Sequence, residues 1–288
     1  MSDSHANDAD DPDDADDTAN LAEIDEQFET VQVEVGDRGE GVATVTIDRP
    51  DARNALNEQV RSELAQVCNA VEAQHPGEVR VVVLTGSDGA GAFVAGADVR
   101  ELRERDGVKM RRAAKRPRIH ELVDDLPVPV IARIDGYCLG GGCELALACD
   151  VRIASENATF GQPETNLGII PGGGATQRLP RLVGEGQAMK LILSGELIDA
   201  REARDIGLVE ELPADLDRRV NELAGAMASK SPHALEIAKT AVRAAGRMDL
   251  DDGIEYEAEL FAGLFETHDK NEGIDAFLKD RDPEWEGR

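Results

Sequence analysis

Two short runs, residues 79–85 (VRVVVLT) and 128–134 (VPVIARI), are dominated by β-branched and other apolar residues, and each leads into a glycine-containing loop. They lack the alternation of a half-exposed strand and are too short for a buried helix. They therefore predict strands covered on both faces, which obliges the chain to supply apolar layers on either side of one sheet. Upstream, residues 31–35 alternate apolar and polar, 36–41 carry turn glycines and 42–47 resume the pattern, predicting a hairpin. Asn57 is placed to cap a helix bearing Val60, Leu64, Val67 and Val71 on one face. A charged helix is expected from about Val99 until Pro117, an apolar helix over 143–149 and a further strand over 151–154. From about Gly172 the chain reads as mainly helical, with amphipathic segments near 185–193, 216–228, 232–245 and 254–265. Strands alternating with helices early, then helices alone, predict an α/β layered core with a helical carboxy-terminal part.

The formal charge of −28 excludes whole classes of partner, because such a surface repels both nucleic acid and anionic lipid. An apolar share of 41% is nevertheless that of a folded protein. Acidic residues continue through the body of the chain, a surface suited to a salty cytoplasm where counterions screen self-repulsion. Residues 1–20 read as a solvated acidic tail with neither the basic start nor the apolar stretch of a secretory signal, and no run is long enough to cross a bilayer. A cytoplasmic address is expected. Cys68, Cys138, Cys143 and Cys149 lack paired metal-ligand spacing, and the five histidines are scattered, which argues against a bound metal.

Three glycine-rich loops carry the candidate chemistry: FVAGAD at 93–98, GYCLGGGCE at 136–144, and FGQPE at 160–164 running on to PGGG at 171–174. None is a phosphate loop, a dinucleotide fingerprint or a nucleophile elbow. Three glycines entering a helix leave backbone N–H groups bare at the positive end of the helix dipole, a place for developing negative oxygen charge. The alternative is that the triplet only permits tight helix–strand packing. The Gly96-Ala97 segment is the other candidate donor. Glu144 falls in the first turn of the helix, where the dipole favours an ionised base. Glu164 follows Pro163 beside Phe160, Leu167, Ile169 and Ile170, surroundings expected to raise its pKa and make it a proton donor. Two carboxylates in opposed environments are fitted to paired acid–base work.

The stretch from IARIDGYCLGGGCELALACD through FGQPETNLGIIPGGGATQRLPRLVG resembles the crotonase superfamily, and within it the enoyl-CoA hydratases; DRPDARNALN and FVAGADVREL match the same family's earlier segments. The resemblance implies a spiral of repeated ββα units with a helical C-terminal trimerisation region. It also implies a trimer or a dimer of trimers. The expected divisions are a disordered acidic tail over 1–27, a catalytic core over 28–230 and a helical region over 231–288. It implies an oxyanion hole made by the N–H groups of Ala97 and Gly141, a water-activating base in Glu144 and a proton donor in Glu164. Arg53, Ala55, Ala95, Asp98, Val99, Arg100 and Gly140 would join Ala97 and Gly141 in binding substrate and coenzyme A. The substrate would be an acyl-CoA thioester, with no separate cofactor, hydrated across its 2,3 double bond as in fatty acid oxidation. A double-bond isomerase of the same fold is the alternative. An RNA-binding relative is disfavoured, because the helix after NAL carries a single arginine and several glutamates. The basic run from Arg100 to Arg118 is either a solvated helix face or a local offset to the acidic surface that attracts coenzyme A, with Arg100 and Arg103 the first candidates.

Overall fold

In the computed structural model, which describes Leu21 and residues 27–288, the expected hairpin forms at one edge of a five-stranded sheet. Most of the expected acidic tail lies outside the described residues. β1 (Val31–Val35) runs antiparallel to β2 (Val42–Ile47), with Val31 opposite Ile47 and Val35 opposite Ala43. Along the chain follow β3 (Val81–Gly86), β4 (Ala92–Val94), β5 (Val130–Ile134), β6 (Tyr137–Leu139), β7 (Val151–Ala154), β8 (Thr159–Gly161) and β9 (Leu197–Asp199). The larger sheet is ordered β1-β2-β3-β5-β7, parallel from β2 onward, and the smaller β4-β6-β8-β9, parallel through β8. From β3 on, each strand of the larger sheet is followed closely by one of the smaller, and then by a helical turn or helix. The step β3–β4, β5–β6, β7–β8 advances one strand position in both sheets at once. This is a repeat of topology, and the sequence itself carries no repeated motif.

The β-branched strands are covered on both faces, as their composition requires. Val82, Leu84, Val130, Ala132 and Ile134 face the main core, while Val81, Val83, Ile131 and Ile153 pack against Val220, Ala224 and Ala228 of the helix Leu216–Ala228. Successive residues of a strand point to opposite faces, so one run serves both layers. That helix is also pinned by charge. Arg133, buried in β5, reaches Asp217 through Nε and Nη2 at 2.8 and 2.9 Å. The Arg133 guanidinium brings the Asp217 carboxyl down to about 2, against the opposing effect of burial.

Asn57 caps the helix Glu58–Ala73 by accepting from the Val60 N–H, and the four predicted apolar residues are buried. The charged helix expected to continue to Pro117 is instead two, Val99–Arg103 and Gly107–Ala113. Asp106 breaks it, because its carboxylate accepts from the N–H groups of Val108 and Lys109 and starts a new helix. The apolar helix begins earlier than expected, as Gly141–Ala146. The carboxy-terminal part is helical, with Pro232–Ala244, Leu250–Leu264 and His268–Leu278 at its end.

Gly142 seats the helix Gly141–Ala146 on the end of β4: a Cβ there would lie 2.1 Å from the Val94 carbonyl oxygen and 2.6 Å from the Val94 Cβ. Neither atom can yield without moving the strand. Gly142→Ala should therefore lower stability by at least about 1–3 kcal/mol, the usual cost of overpacking, and shift the helix N-terminus. Thermal unfolding of the variant measures it, and an unchanged Tm would contradict this packing.

Candidate active site

The smaller sheet places three loops side by side. β4, β6 and β8 are adjacent and parallel, so their carboxy ends point the same way and release residues 95–98, 140–144 and 162–167 at one edge. The three loops are far apart in sequence, yet all line one cleft of about 920 Å³, together with the helix Glu58–Ala73 and residues 109–120.

Two backbone donors meet there. The Leu56 N–H donates to the Gly96 oxygen and the Asp98 N–H donates to the Leu56 oxygen, which turns the intervening Ala97 N–H the other way. Gly141 is the first residue of its helix, where the N–H has no intrahelical acceptor. A Cβ on Gly141 would lie 3.4 Å from the Ala97 nitrogen, so the two peptides abut. The alternatives raised by the glycine triplet fall on different residues: Gly142 serves packing and Gly141 presents a donor.

Glu144 is buried, at 4% exposure, and its Oε1 accepts from the N–H groups of Gly173 at 2.6 Å and Ala175 at 3.0 Å. These donors stand at the start of the helix Ala175–Val183, so the PGGG loop is a clamp on the first carboxylate. Oε2 has no protein donor among the described residues, and Glu144 lines the cleft. One oxygen is thus tied down and the other is available to hold a water molecule. Glu164 sits across the cleft in the 3-10 turn Pro163–Leu167, half-buried. Burial pushes its carboxyl up to about 7, and the nearby charge of Glu144 acts in the same direction. Of the apolar neighbours expected to do this, only Phe160 is buried; Leu167, Ile169 and Ile170 line the cleft with their side chains exposed. The amide of Gln162, turned with its nitrogen toward Glu164, lies 3.2 Å from both carboxylate oxygens.

His120 was not singled out by the sequence. It is buried on the helix Ile119–Asp125, with Nε2 3.4 Å from the Gly141 oxygen and no partner for Nδ1. A Cβ on Gly173 would lie 2.6 Å from Glu144 Oε2 and 2.7 Å from His120 Nε2, so imidazole and carboxylate share one wall. Burial lowers the His120 pKa, with Glu144 pulling it back up. No local pattern announces this histidine, since its partners are brought to it only by the fold.

The remaining expected binding residues divide. Ala95, Val99 and Gly140 line the cleft with Ala97 and Gly141, whereas Arg53, Ala55, Asp98 and Arg100 lie outside its lining. Arg53 stacks over Tyr137 at 5.4 Å, and its carbonyl accepts from the Ala95 N–H. Asp98 caps the helix Val99–Arg103 and pairs with Arg49 at 3.2 Å, so its carboxylate is occupied within the protein. Arg100 and Arg103 point to solvent, and the cations that do line the cleft include Arg61, Arg105, Lys109, Arg112, Lys115 and Arg118.

Residues 37–288 match the family described as enoyl-CoA hydratase/isomerase. The chain belongs to that family. It is 44% identical over 87% of its length to the 2,3-dehydroadipyl-CoA hydratase of Escherichia coli, covering 97% of that protein. It is 42% identical over 83% of its length to the short-chain-enoyl-CoA hydratase of Clostridium acetobutylicum, covering 92% of that protein. Among solved structures, an enoyl-CoA hydratase from Bacillus anthracis matches with a TM-score of 0.84 at 39% identity, over 90% of this chain and 100% of that one. The crotonase-like α/β architecture expected from the sequence is therefore the fold of its hydratase/isomerase relatives.

The raised Glu164 pKa has a consequence for stability. Between the ordinary carboxyl value of 4.5 and about 7, the folded protein holds a proton that the unfolded chain releases. Stability associated with this group is present at acid pH and is lost as pH rises through about 7. Glu164→Gln should thus raise Tm relative to the parent at pH 8 and leave it little changed at pH 5. Melting curves at the two pH values check this, and an equal effect at both would contradict the burial of this carboxyl.

Proposed function

We propose that the chain hydrates 2-enoyl-CoA thioesters to 3-hydroxyacyl-CoA, with Glu144 and Glu164 dividing the proton transfers. The observation that carries the reading is the pair of carboxylates on opposite sides of one cleft, beside two abutting backbone donors. The thioester carbonyl oxygen would rest on the N–H groups of Ala97 and Gly141. There one donor contributes about 2.7–4 kcal/mol to a transition state with charge on oxygen. Glu144, held through Oε1, would take a proton from water as its oxygen bonds to the β-carbon. Glu164, protonated below about pH 7, would deliver a proton to the α-carbon as the enolate collapses. Exchange with solvent restores both groups. No separate cofactor enters, and coenzyme A arrives as part of the substrate.

The hydratase names of close relatives support this reading, including the dehydroadipyl-CoA enzyme of Escherichia coli and a crotonyl-CoA hydratase of Syntrophomonas wolfei at 42% identity. Isomerisation needs only one carboxylate to shuttle a proton, and the second one in the cleft favours addition of water. Arg53, Ala55, Asp98 and Arg100, outside the cleft lining but next to Ala95 and Ala97, are assigned to the coenzyme A side.

Association of copies extends the proposal. On the helices Pro232–Ala244, Leu250–Leu264 and His268–Leu278, Val242, Leu250, Phe261 and Phe277 are 75%, 78%, 61% and 85% exposed. Apolar surface of this kind fits the trimer or dimer of trimers expected of the family. The net charge of −28 supports function in concentrated salt, within a cytoplasm.

The test is loss of the conjugated enoyl absorbance of crotonyl-CoA in high salt. The parent protein should turn over, and Glu144→Gln and Glu164→Gln should each lower kcat by about 10²–10⁴-fold, the range for a lost acid or base. Normal hydration by either variant would overturn the assignment of roles. Retained isomerase turnover in Glu144→Gln, without hydration by the parent, would make the protein an isomerase.

A further inference from the structure

We infer that the acyl half of the cleft is built for a tail that ends in a carboxylate, so that the preferred substrate is an enoyl-CoA of a dicarboxylic acid. The inference rests on the hydratase reading, because that reading fixes the direction of the substrate. With the carbonyl oxygen on Ala97 and Gly141, the α-carbon beside Glu164 and the β-carbon beside Glu144, the rest of the acyl chain must leave past Glu144. The wall on that side is known from contacts. His120 and Gly173 flank Glu144, and Arg118 Nη1 donates to the Gly172 oxygen at 2.5 Å. The strap leading up to Arg118 therefore borders the tail end of the cleft.

This strap presents both apolar and cationic side chains to the cleft. Met110, Ala113 and Ala114 offer apolar surface to the cleft, while Arg112 and Lys115 offer cations. Most other cations of the lining are already engaged by the protein. Arg61 and Arg105 both pair with Glu101, at 2.8 and 3.4 Å. Arg118, joined by Arg116 from the same strap, pairs with buried Glu121. Burial opposes ionisation of Glu121, but the Arg118 N–H and the two guanidiniums outweigh it and bring that carboxyl down to about 2. The Lys109 ammonium donates to the Glu104 carbonyl oxygen at 3.0 Å. Among the described residues, no carboxylate pairs with Arg112 or Lys115. In a chain with 59 acidic and 31 basic residues, two unpaired cations on a substrate cleft stand out against a surplus of available anions. Apolar side chains and two unpaired cations on the strap that borders the tail match an acyl chain that ends in a carboxylate. The coenzyme A phosphates lie at the opposite end of the substrate, beyond the thioester sulfur.

The experiment compares two six-carbon thioesters, trans-2-hexenoyl-CoA and the counterpart in which C6 is itself the carboxylate carbon. The parent protein should give the higher kcat/KM with the carboxylate substrate. Arg112→Gln/Lys115→Gln should cut the ratio of the two values by about fivefold, the upper end of the scale for an exposed ion pair. Raising salt should shrink the ratio in the same direction. A parent ratio at or below one, unmoved by the substitutions, overturns the inference. So does an equal loss on both substrates, which would assign the two cations to coenzyme A instead. Absence of turnover with either substrate would reject the hydratase reading. Calorimetric binding of the saturated pair, adipoyl-CoA and hexanoyl-CoA, would then decide the tail preference by the same ratio. Lys115→Gln alone, on an exposed segment, repeats the comparison if the double variant unfolds.

Discussion

The pairing of β4, β6 and β8 into one small parallel sheet is the constraint on which the site depends. Each strand has only three residues, so none holds its place by its own propensity. Their position is imposed by the larger sheet, whose strands β3, β5 and β7 each hand the chain on to the small one. Parallel pairing makes their carboxy ends emerge together. One result is that two backbone donors and two carboxylates, from three loops spread between residues 95 and 167, share a cleft. Loosening the small sheet would scatter all of them at once.

The two glutamates then differ because of what surrounds them, not because of their chemistry. Glu144 rises from the first turn of one helix and is gripped by N–H groups at the start of another. Glu164 has no such donors from a second element and is partly withdrawn from water, which holds its proton to a higher pH. One fold thereby keeps two identical side chains in different environments, as the proposed division of roles requires. His120 adds an imidazole to the wall by Glu144, its pKa lowered by burial, a feature that charge counting along the chain would not suggest.

Much of this was legible in the residues. The β-branched runs foretold strands covered on both faces, and the alternation in 31–35 and 42–47 foretold the hairpin. The glycine-rich loops pointed to the glycine triplet, the Gly96-Ala97 segment, Glu144 and Glu164, and the family resemblance singled out the N–H groups of Ala97 and Gly141. What escaped was whatever depends on long-range pairing. Three-residue strands such as β4 and β6 are too short for periodicity to register. The second role of PGGG, as a clamp on Glu144, needs the helix Ala175–Val183 to be folded back across the site. The break at Asp106 was readable as a cap, yet the charged run around it looked like one continuous helix. The basic run likewise proved to be several kinds of residue: cations spent on Glu101 and Glu121, cations in solvent, and Arg112 and Lys115 left on the cleft.

The central claim is that the fold sets Glu164 aside as the proton donor, and the pH dependence of hydration tests it most directly. Because kcat/KM reports the free enzyme, and the donor must be protonated, kcat/KM for crotonyl-CoA hydration should fall as pH rises through about 7. A value that stays flat or climbs between about pH 6 and pH 9 would contradict the account.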